Sequence, residues 1–384
     1  LKMRCIAFLA LAVVASAAIQ KSFNGELVEG EFIVVFNDDV SDEVRAQHMA
    51  QVAATGGKVT HEYNTVLKGY AVAHSEEAMF EVSNQVEVKL VEQNQIARAL
   101  HEEVSTCTSR TRSDAGLYGL RRVSALAPGA NAVNTRSGAG IDVYIIDTGI
   151  LLTHEDFGGR ASHGFDCTGE GPGDGNGHGT HCAGTAAGSQ YGVAPDARLI
   201  EVKVLNRQGS GTFACVISGI DYVGAQSGAR VGSLSLGGGF SAAVNQAVDG
   251  AVVRGAAMSS ASGNSNANAC NFSPSSAPDG VCVNSHDNAD RRSSFSNFGT
   301  CSDIFAAGTN ILSAWIGGNT ATRTISGTSM ACPHVTGVIA ETWSGNPSLS
   351  AVAVQNAVIA AGQTGAVTNP GTGSPNVLAQ SSCQ

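Results

Sequence analysis

Ser329 sits between small residues in the run Ile325 to Val335, which reads as the opening of a packed helix. Ala331, Gly337, Val338 and Ala340 provide a small apolar face, and Pro333 suits a helix only in its first turn. The Ser329 hydroxyl is thereby placed at a helix N-terminus. Free backbone N–H groups and the positive end of the helix dipole converge there, which favours negative charge developing on an oxygen. A serine alone is a weak nucleophile at neutral pH and needs a base and a group that orients the base. His178, in the glycine-rich turn Asn176 to His181, is the candidate base. Asp147 closes the apolar run Ile141 to Asp147 just before Gly149, a pattern expected at the carboxyl edge of a parallel sheet. Acid, imidazole and alcohol in that chain order can perform acyl transfer: the alcohol attacks a carbonyl while the imidazole carries the proton.

These three segments, with Ser233 to Gly239 and Asp290 to Asn297, resemble the subtilisin-like serine proteases (subtilases), and the last two look like the proteinase K branch. The likeness runs from about Tyr118 to the C-terminus. It implies an α/β fold, a mostly parallel sheet with helices on both faces, preceded by a small ferredoxin-like α/β propeptide. It also implies catalytic roles for Asp147, His178 and Ser329, and an oxyanion hole that includes the Asn264 side chain. Substrate would add as a strand between Gly209, Ser210, Gly211 and Ser235, Leu236, Gly237. Ala261, Ser262 and Gly263 would line a pocket with broad apolar or aromatic preference. The implied activity is endopeptidase cleavage of proteins and peptides, without a cofactor for catalysis. A structural calcium ion, a hard cation that prefers oxygen donors, would use the Asp303 carboxylate and the carbonyls of Pro278 and Gly280. The resemblance further pairs Cys270 with Cys301. Cys167 with Cys215 is a second pairing, and Cys182 is expected as a buried free thiol.

The chain of 384 residues is long enough for a small domain and a large one. Its net charge of −10, with no overriding basic cluster, argues against nucleic acid as a partner. Residues 1–18 read as a secretory signal: Arg4, the apolar run Ile6 to Val14, then small residues at Ala15 to Ala17. That run is far shorter than the roughly 20 residues of a membrane span. The expectation is a secreted, extracellular monomer with no membrane association. Ten cysteines in such a chain are consistent with disulfides.

The elements that must position the chemistry follow from periodicity. Residues 19–105 read as βαββαβ, the split pattern of small α/β modules. A strand lies at Glu31 to Phe36, and a helix behind Ser41 is ended by Gly56 and Gly57. Strands follow at Lys58 to Val66 and Lys68 to His74, a helix opens at Ser75, and Val86 to Val91 closes the unit. In subtilases this arrangement belongs to the inhibitory propeptide, a folding template that acts as an intramolecular inhibitor of a self-processed zymogen. From Lys21 to Ser105 we count fifteen acidic and six basic residues, so most of the net charge lies there. The junction falls between Ala99 and Arg112, with Leu100 and Arg110 both open as cut points. Residues 106–384 then alternate strand and helix: strands Ile141 to Asp147, Arg198 to Leu205, Arg230 to Leu236 and Val281 to Asn284, and helices Phe213 to Gln226, Ala242 to Val253 and Ala351 to Ala361.

Two rival readings use the same residues. His178, His181 and Cys182 with Cys332 and His334 could be imagined around zinc, but the spacing is not that of a metalloprotease helix, and these side chains are expected to pack behind the site. A binding protein that keeps the fold without activity is the other. It is motivated by Asn284, Ala307, Cys332 and Tyr118 at positions where relatives usually carry other residues.

Overall fold

The computed structural model describes residues 18–101, 117–124 and 137–381. The signal-peptide reading and Arg110 lie outside the described residues.

The first unit comprises β1 (Leu27–Phe36), α1 (Asp42–Ala54), β2 (Lys58–Tyr63), β3 (Gly69–Ala73), α2 (Glu76–Ser83) and β4 (Val88–Ala99). Its strands pair antiparallel in the order β2-β3-β1-β4. Ser41 and Ser75 start the helices by accepting the N–H of Val44 and Ala78. One sheet face packs under α1 and α2 through Phe32, Val34, Tyr70, Val72 and Met79. The other face, with Ile33, Val35, Ala71 and Leu90, joins the core of the second unit. The closing strand is longer than the sequence suggests. It runs to Ala99 because its second half is paired by strands of the other unit, which local periodicity in residues 19–105 cannot reveal.

The second unit opens with α3 (Tyr118–Val123), β5 (Asp142–Asp147), β6 (Ala161–Asp166), α4 (His178–Ala187), β7 (Arg198–Lys203), β8 (Ser210–Thr212) and α5 (Phe213–Ala225). It continues through β9 (Arg230–Leu234), β10 (Leu236–Gly239), α6 (Ala242–Val253), β11 (Ala256–Ala261), β12 (Phe272–Ser273), β13 (Val281–His286) and β14 (Ile304–Ala307). It ends with β15 (Ile311–Ala314), β16 (Thr322–Ile325), α7 (Thr328–Gly345), α8 (Ala351–Ala361), β17 (Gln363–Thr364) and β18 (Val377–Leu378). Nine strands form one sheet in the order β17-β18-β14-β13-β11-β9-β5-β7-β6, parallel from β18 to β6. Helices α4, α7 and α8 pack on one face through Ala183, Val335, Val338 and Val354. Helices α5 and α6 pack on the other through Val216, Ile220, Val244 and Val248. The expected α/β architecture with a small α/β unit ahead of it is what the chain adopts.

Two details depart from the sequence reading. The strand expected over Arg230 to Leu236 breaks at Ser235, freeing β10 to turn out of the wide sheet toward β4. Pro333 is not in the first turn of α7 but in the second, since the helix starts at Thr328. Proline has no N–H to give the carbonyl of Ser329 four residues back. That carbonyl instead accepts from Ser235 Oγ at 2.9 Å and from Cys182 Sγ at 3.5 Å. The break is thus satisfied from outside the helix.

Candidate active site

Asp147 is the last residue of the central strand β5, and His178 is the first of α4, so a strand end faces a helix start across the carboxyl rim of the sheet. Asp147 Oδ1 and Oδ2 accept from His178 Nδ1 at 2.8 and 3.0 Å, and both side chains are fully buried. Thr148 N–H donates to Asp147 Oδ1 at 2.7 Å, which fixes the carboxylate. Burial alone would push the His178 pKa down, yet the Asp147 carboxylate and the neighbouring Cys182 drive it well above the ordinary value. The two elements are held together by Asp174. Its carboxylate accepts from the N–H groups of Asn176, Gly177 and Thr180 and from the hydroxyls of Thr148 and Thr180. Sequence reading passed over this residue, although an acid four positions ahead of His178 in a glycine-rich turn is the pattern of a side chain that caps its own loop.

Ser329 lies in the first turn of α7, fully buried. Its Oγ donates to the carbonyl of Ser235 at 2.9 Å, and His178 Nε2 has no hydrogen-bond partner among the described residues. The structure therefore joins acid to imidazole and leaves the alcohol turned to a neighbouring carbonyl. Cys182 bridges the gap from behind, with Sγ 3.9 Å from His178 Nδ1 and 3.5 Å from Ser329 O. Burial pushes this thiol's pKa up, so it stays protonated and unreactive.

Asn264 follows β11. Its Oδ1 accepts from Thr328 N–H at 2.9 Å and from Thr328 Oγ1 at 2.8 Å, so Nδ2 must face the opposite way. There it donates to the carbonyl of Leu100 at 2.9 Å. Thr328, unmarked in the sequence reading, is what orients the amide.

The strands that sequence reading assigned to substrate hold the end of β4. Ile96, Ala97 and Arg98 pair antiparallel with Thr212, Gly211 and Ser210, and on the other side Arg98 and Ala99 pair with Gly237 and Leu236. Ala99 N–H donates to Gly209 O at 3.0 Å and Leu100 N–H to Ser235 O at 3.3 Å. Leu100 reaches a cleft lined on the second unit by Gly237, Gly238, Gly239, Ala261, Ser262, Gly263, Asn264, Ser265, Phe272, Ser273 and Ser275. None of those side chains is charged.

Asp303, beside the start of β13, accepts from Cys282 N–H at 2.7 Å, and burial raises its pKa to about 6. Disulfides join Cys270 to Cys301 and Cys167 to Cys215, whereas Cys182, Cys282 and Cys332 are buried free thiols. His181 bonds Ile311 O, His334 bonds Met330 O, and Cys332 lies against Ser233 and Ser259. The five residues of the imagined zinc cluster are therefore not gathered. The one metal-capable group among the described residues is Asp147, His178 and Cys182.

Residues 138–374 match the model of the subtilase family (peptidase S8), and residues 31–100 match that of peptidase inhibitor I9. The chain is similar to subtilisin-like protease 2 of Pseudogymnoascus destructans, at 40% identity over 367 residues covering 92% of this chain and 90% of the relative. It is 39% identical over 397 aligned positions to an alkaline proteinase of Hapsidospora chrysogena, covering 97% of each chain. Proteinase R of Parengyodontium album is 38% identical over 371 residues, 94% of this chain and 91% of that one. A solved cold-adapted subtilisin-like serine proteinase superposes with a TM-score of 0.67 at 43% identity, covering 70% of this chain and all of that structure.

Proposed function

The chain belongs to the subtilase family of serine proteases, in its proteinase K branch and with an I9 inhibitor unit ahead of the enzyme, and on that premise we propose a secreted, monomeric endopeptidase that processes itself from a zymogen. Ser329 is the nucleophile, His178 the general base and then acid, and Asp147 the group that holds the imidazole tautomer and offsets its charge. The backbone N–H of Ser329 and Nδ2 of Asn264 receive the oxyanion. The observation that carries this reading is the end of β4, paired between β8 and β10, with the Leu100 carbonyl on Asn264 and the His101 ring against that of His178. An extended peptide bound through main-chain hydrogen bonds is how a strand-adding cleft takes substrate. Gly238 leaves that backbone free to approach, since a Cβ there would stand 2.9 Å from Ile96 O. The uncharged lining around Ala261, Ser262 and Gly263 favours apolar or aromatic side chains before the cut and disfavours a buried cation.

The first unit, residues 19–105, is the intramolecular inhibitor and residues 106–384 the enzyme, with 1–18 as the secretory signal. The residues present fit a calcium ion near β13. The Asp303 carboxylate, buried and pushed toward neutrality, gains from a cation, and the carbonyls of Pro278 and Gly280 precede the strand that donates to it. Such an ion would brace the β13–β14 region and take no part in bond cleavage.

A serine-directed phosphonate or sulfonyl fluoride tests the activity reading. Labelling of Ser329 in the processed protein, with loss of casein hydrolysis, is expected. No label on a folded, processed chain would favour the alternative of a binding protein, which the Ser329 hydroxyl turned to Ser235 O keeps in play.

A further inference from the structure

We propose that the peptide bond between Leu100 and His101 is the one this enzyme cuts in itself. The proposal rests on the serine-protease reading above and adds what the sequence left open, the register of the cut. Main-chain pairing sets that register from Ile96 to Leu100. Its carbonyl is the one bonded to Asn264 Nδ2, and its N–H shares the Ser235 carbonyl with the Ser329 hydroxyl, at 3.3 and 2.9 Å. One acceptor thus brings the alcohol beside the residue whose carbonyl faces the oxyanion donor. Gly327 lines the other side of the bond. A Cβ there would stand 2.5 Å from Leu100 O and 3.1 Å from His101 Cα, so only glycine lets this peptide seat. The His101 ring lies 5.0 Å from the His178 ring, centroid to centroid, which puts the residue that must leave next to the group that must protonate it. Arg110 would bring a cation to a lining whose enzyme side chains carry no charge, whereas leucine matches it.

The step balances with the groups on hand and one water. Ser329 Oγ turns from Ser235 O and adds to the Leu100 carbonyl carbon, while its proton passes to His178 Nε2. The bond from Leu100 C to His101 N breaks, and the proton on His178 moves to the departing nitrogen, now the α-amine of His101. Water then adds to the acyl carbon and gives a proton to His178. Ser329 leaves with that proton, and Leu100 is released as a carboxylate.

The experiment refolds the full chain and the Ser329→Ala variant and follows both by intact mass and terminal sequencing. The wild-type chain yields an inhibitor fragment ending at Leu100, a readout that later trimming from His101 does not alter, and Ser329→Ala stays whole. Leu100→Phe and His101→Ala are cut at the same bond, because the register is set on the amino side. Leu100→Asp is processed roughly a hundredfold more slowly, a charge being forced onto an apolar lining. An inhibitor fragment ending at Arg110 or elsewhere in a chain whose Ser329 labels would overturn the proposal and leave the activity standing. A wild-type chain that neither cuts nor labels would overturn it by removing the activity itself. Cutting after Leu100 in Ser329→Ala would show another protease at work and overturn self-processing.

Discussion

The wide parallel sheet of the enzyme unit has both faces covered by its own helices, α4, α7 and α8 on one and α5 and α6 on the other. The four-stranded antiparallel sheet of the inhibitor unit covers only one face itself. Its second face, with Ile33, Val35 and Leu90, is closed by α5 and α6 of the enzyme, and β4 finds its last partners there as well. The capping interactions cross over in the same way. Glu92 Oε2 accepts from Ala242 N–H at 2.9 Å at the start of α6, Asn94 Oδ1 accepts from Ala214 N–H at 3.1 Å in α5, and Asp221 of the enzyme accepts from Thr65 and Val66 N–H of the inhibitor. A parallel sheet that completes its own core can dedicate its rim to chemistry, as where β5 ends at Asp147 opposite the start of α4 at His178. A unit that closes one face of its sheet on a neighbour is built for binding, so whatever stabilises that contact also stabilises its fold.

That contrast predicts large kinetic effects at the rim and smaller, pH-dependent effects at the shared face. Asp147→Asn should slow self-processing by about 10⁴, with the fold intact by circular dichroism. In the unaltered precursor His178 is buried, which lowers its pKa, yet Asp147 and Cys182 together raise it further than burial lowers it. The base form therefore appears only as pH rises through a value above the ordinary ~6.5, and processing should climb through that range. The same shift means that the ion pair stabilises the precursor fully below ~6.5 and ceases to do so as pH passes the raised value. In Asp147→Asn the residual rate should have its acid limb at lower pH. A limb that does not move would detach the acid from the imidazole.

Asn264→Ala should cost about 10² to 10³ in kcat with KM little changed, measured on a peptide substrate. Loss confined to KM would make Asn264 a binding group only.

At the shared face, burial raises the Glu92 pKa to about 6, opposed by hydrogen bonds from Ser241 and the N–H groups of Ala242 and Ala243. A pKa raised on binding means that the complex takes up a proton. The excised inhibitor should therefore bind more tightly as pH falls through about 6 toward the ordinary ~4.3, by an order of magnitude or so. Glu92→Gln should flatten that dependence in a calorimetric titration, and an unchanged slope would assign it to another group.

The smallest effect belongs far from both regions. A calcium chelator should lower the Tm of the mature enzyme by several degrees without abolishing turnover, and Asp303→Asn should no longer respond.

Legibility from sequence followed the range of the interaction involved. The caps Ser41, Thr212 and Ser241 act over three residues, so the helices they open were placed correctly. Short polar strands were harder. β6 reads Ala161 to Asp166 with only partial burial, and β15 and β16 form a separate hairpin of four residues each, so neither shows a strong alternating pattern. Asp147, His178, Ser329 and Asn264 stand out as candidates because each sits in a local motif. Thr328 does not, and neither does the second task of Ser235 in holding the start of α7, since both act on groups more than sixty residues away.

Sequence by itself determined which groups could react, their order along the chain, and the helices and central strands that carry them, because capping and periodicity are satisfied between near neighbours. Only the tertiary structure decided which carbonyl meets Asn264, what replaces the hydrogen bond lost at Pro333, and where β4 ends. Those depend on pairing between distant segments, and no local pattern encodes a partner that lies a hundred residues away.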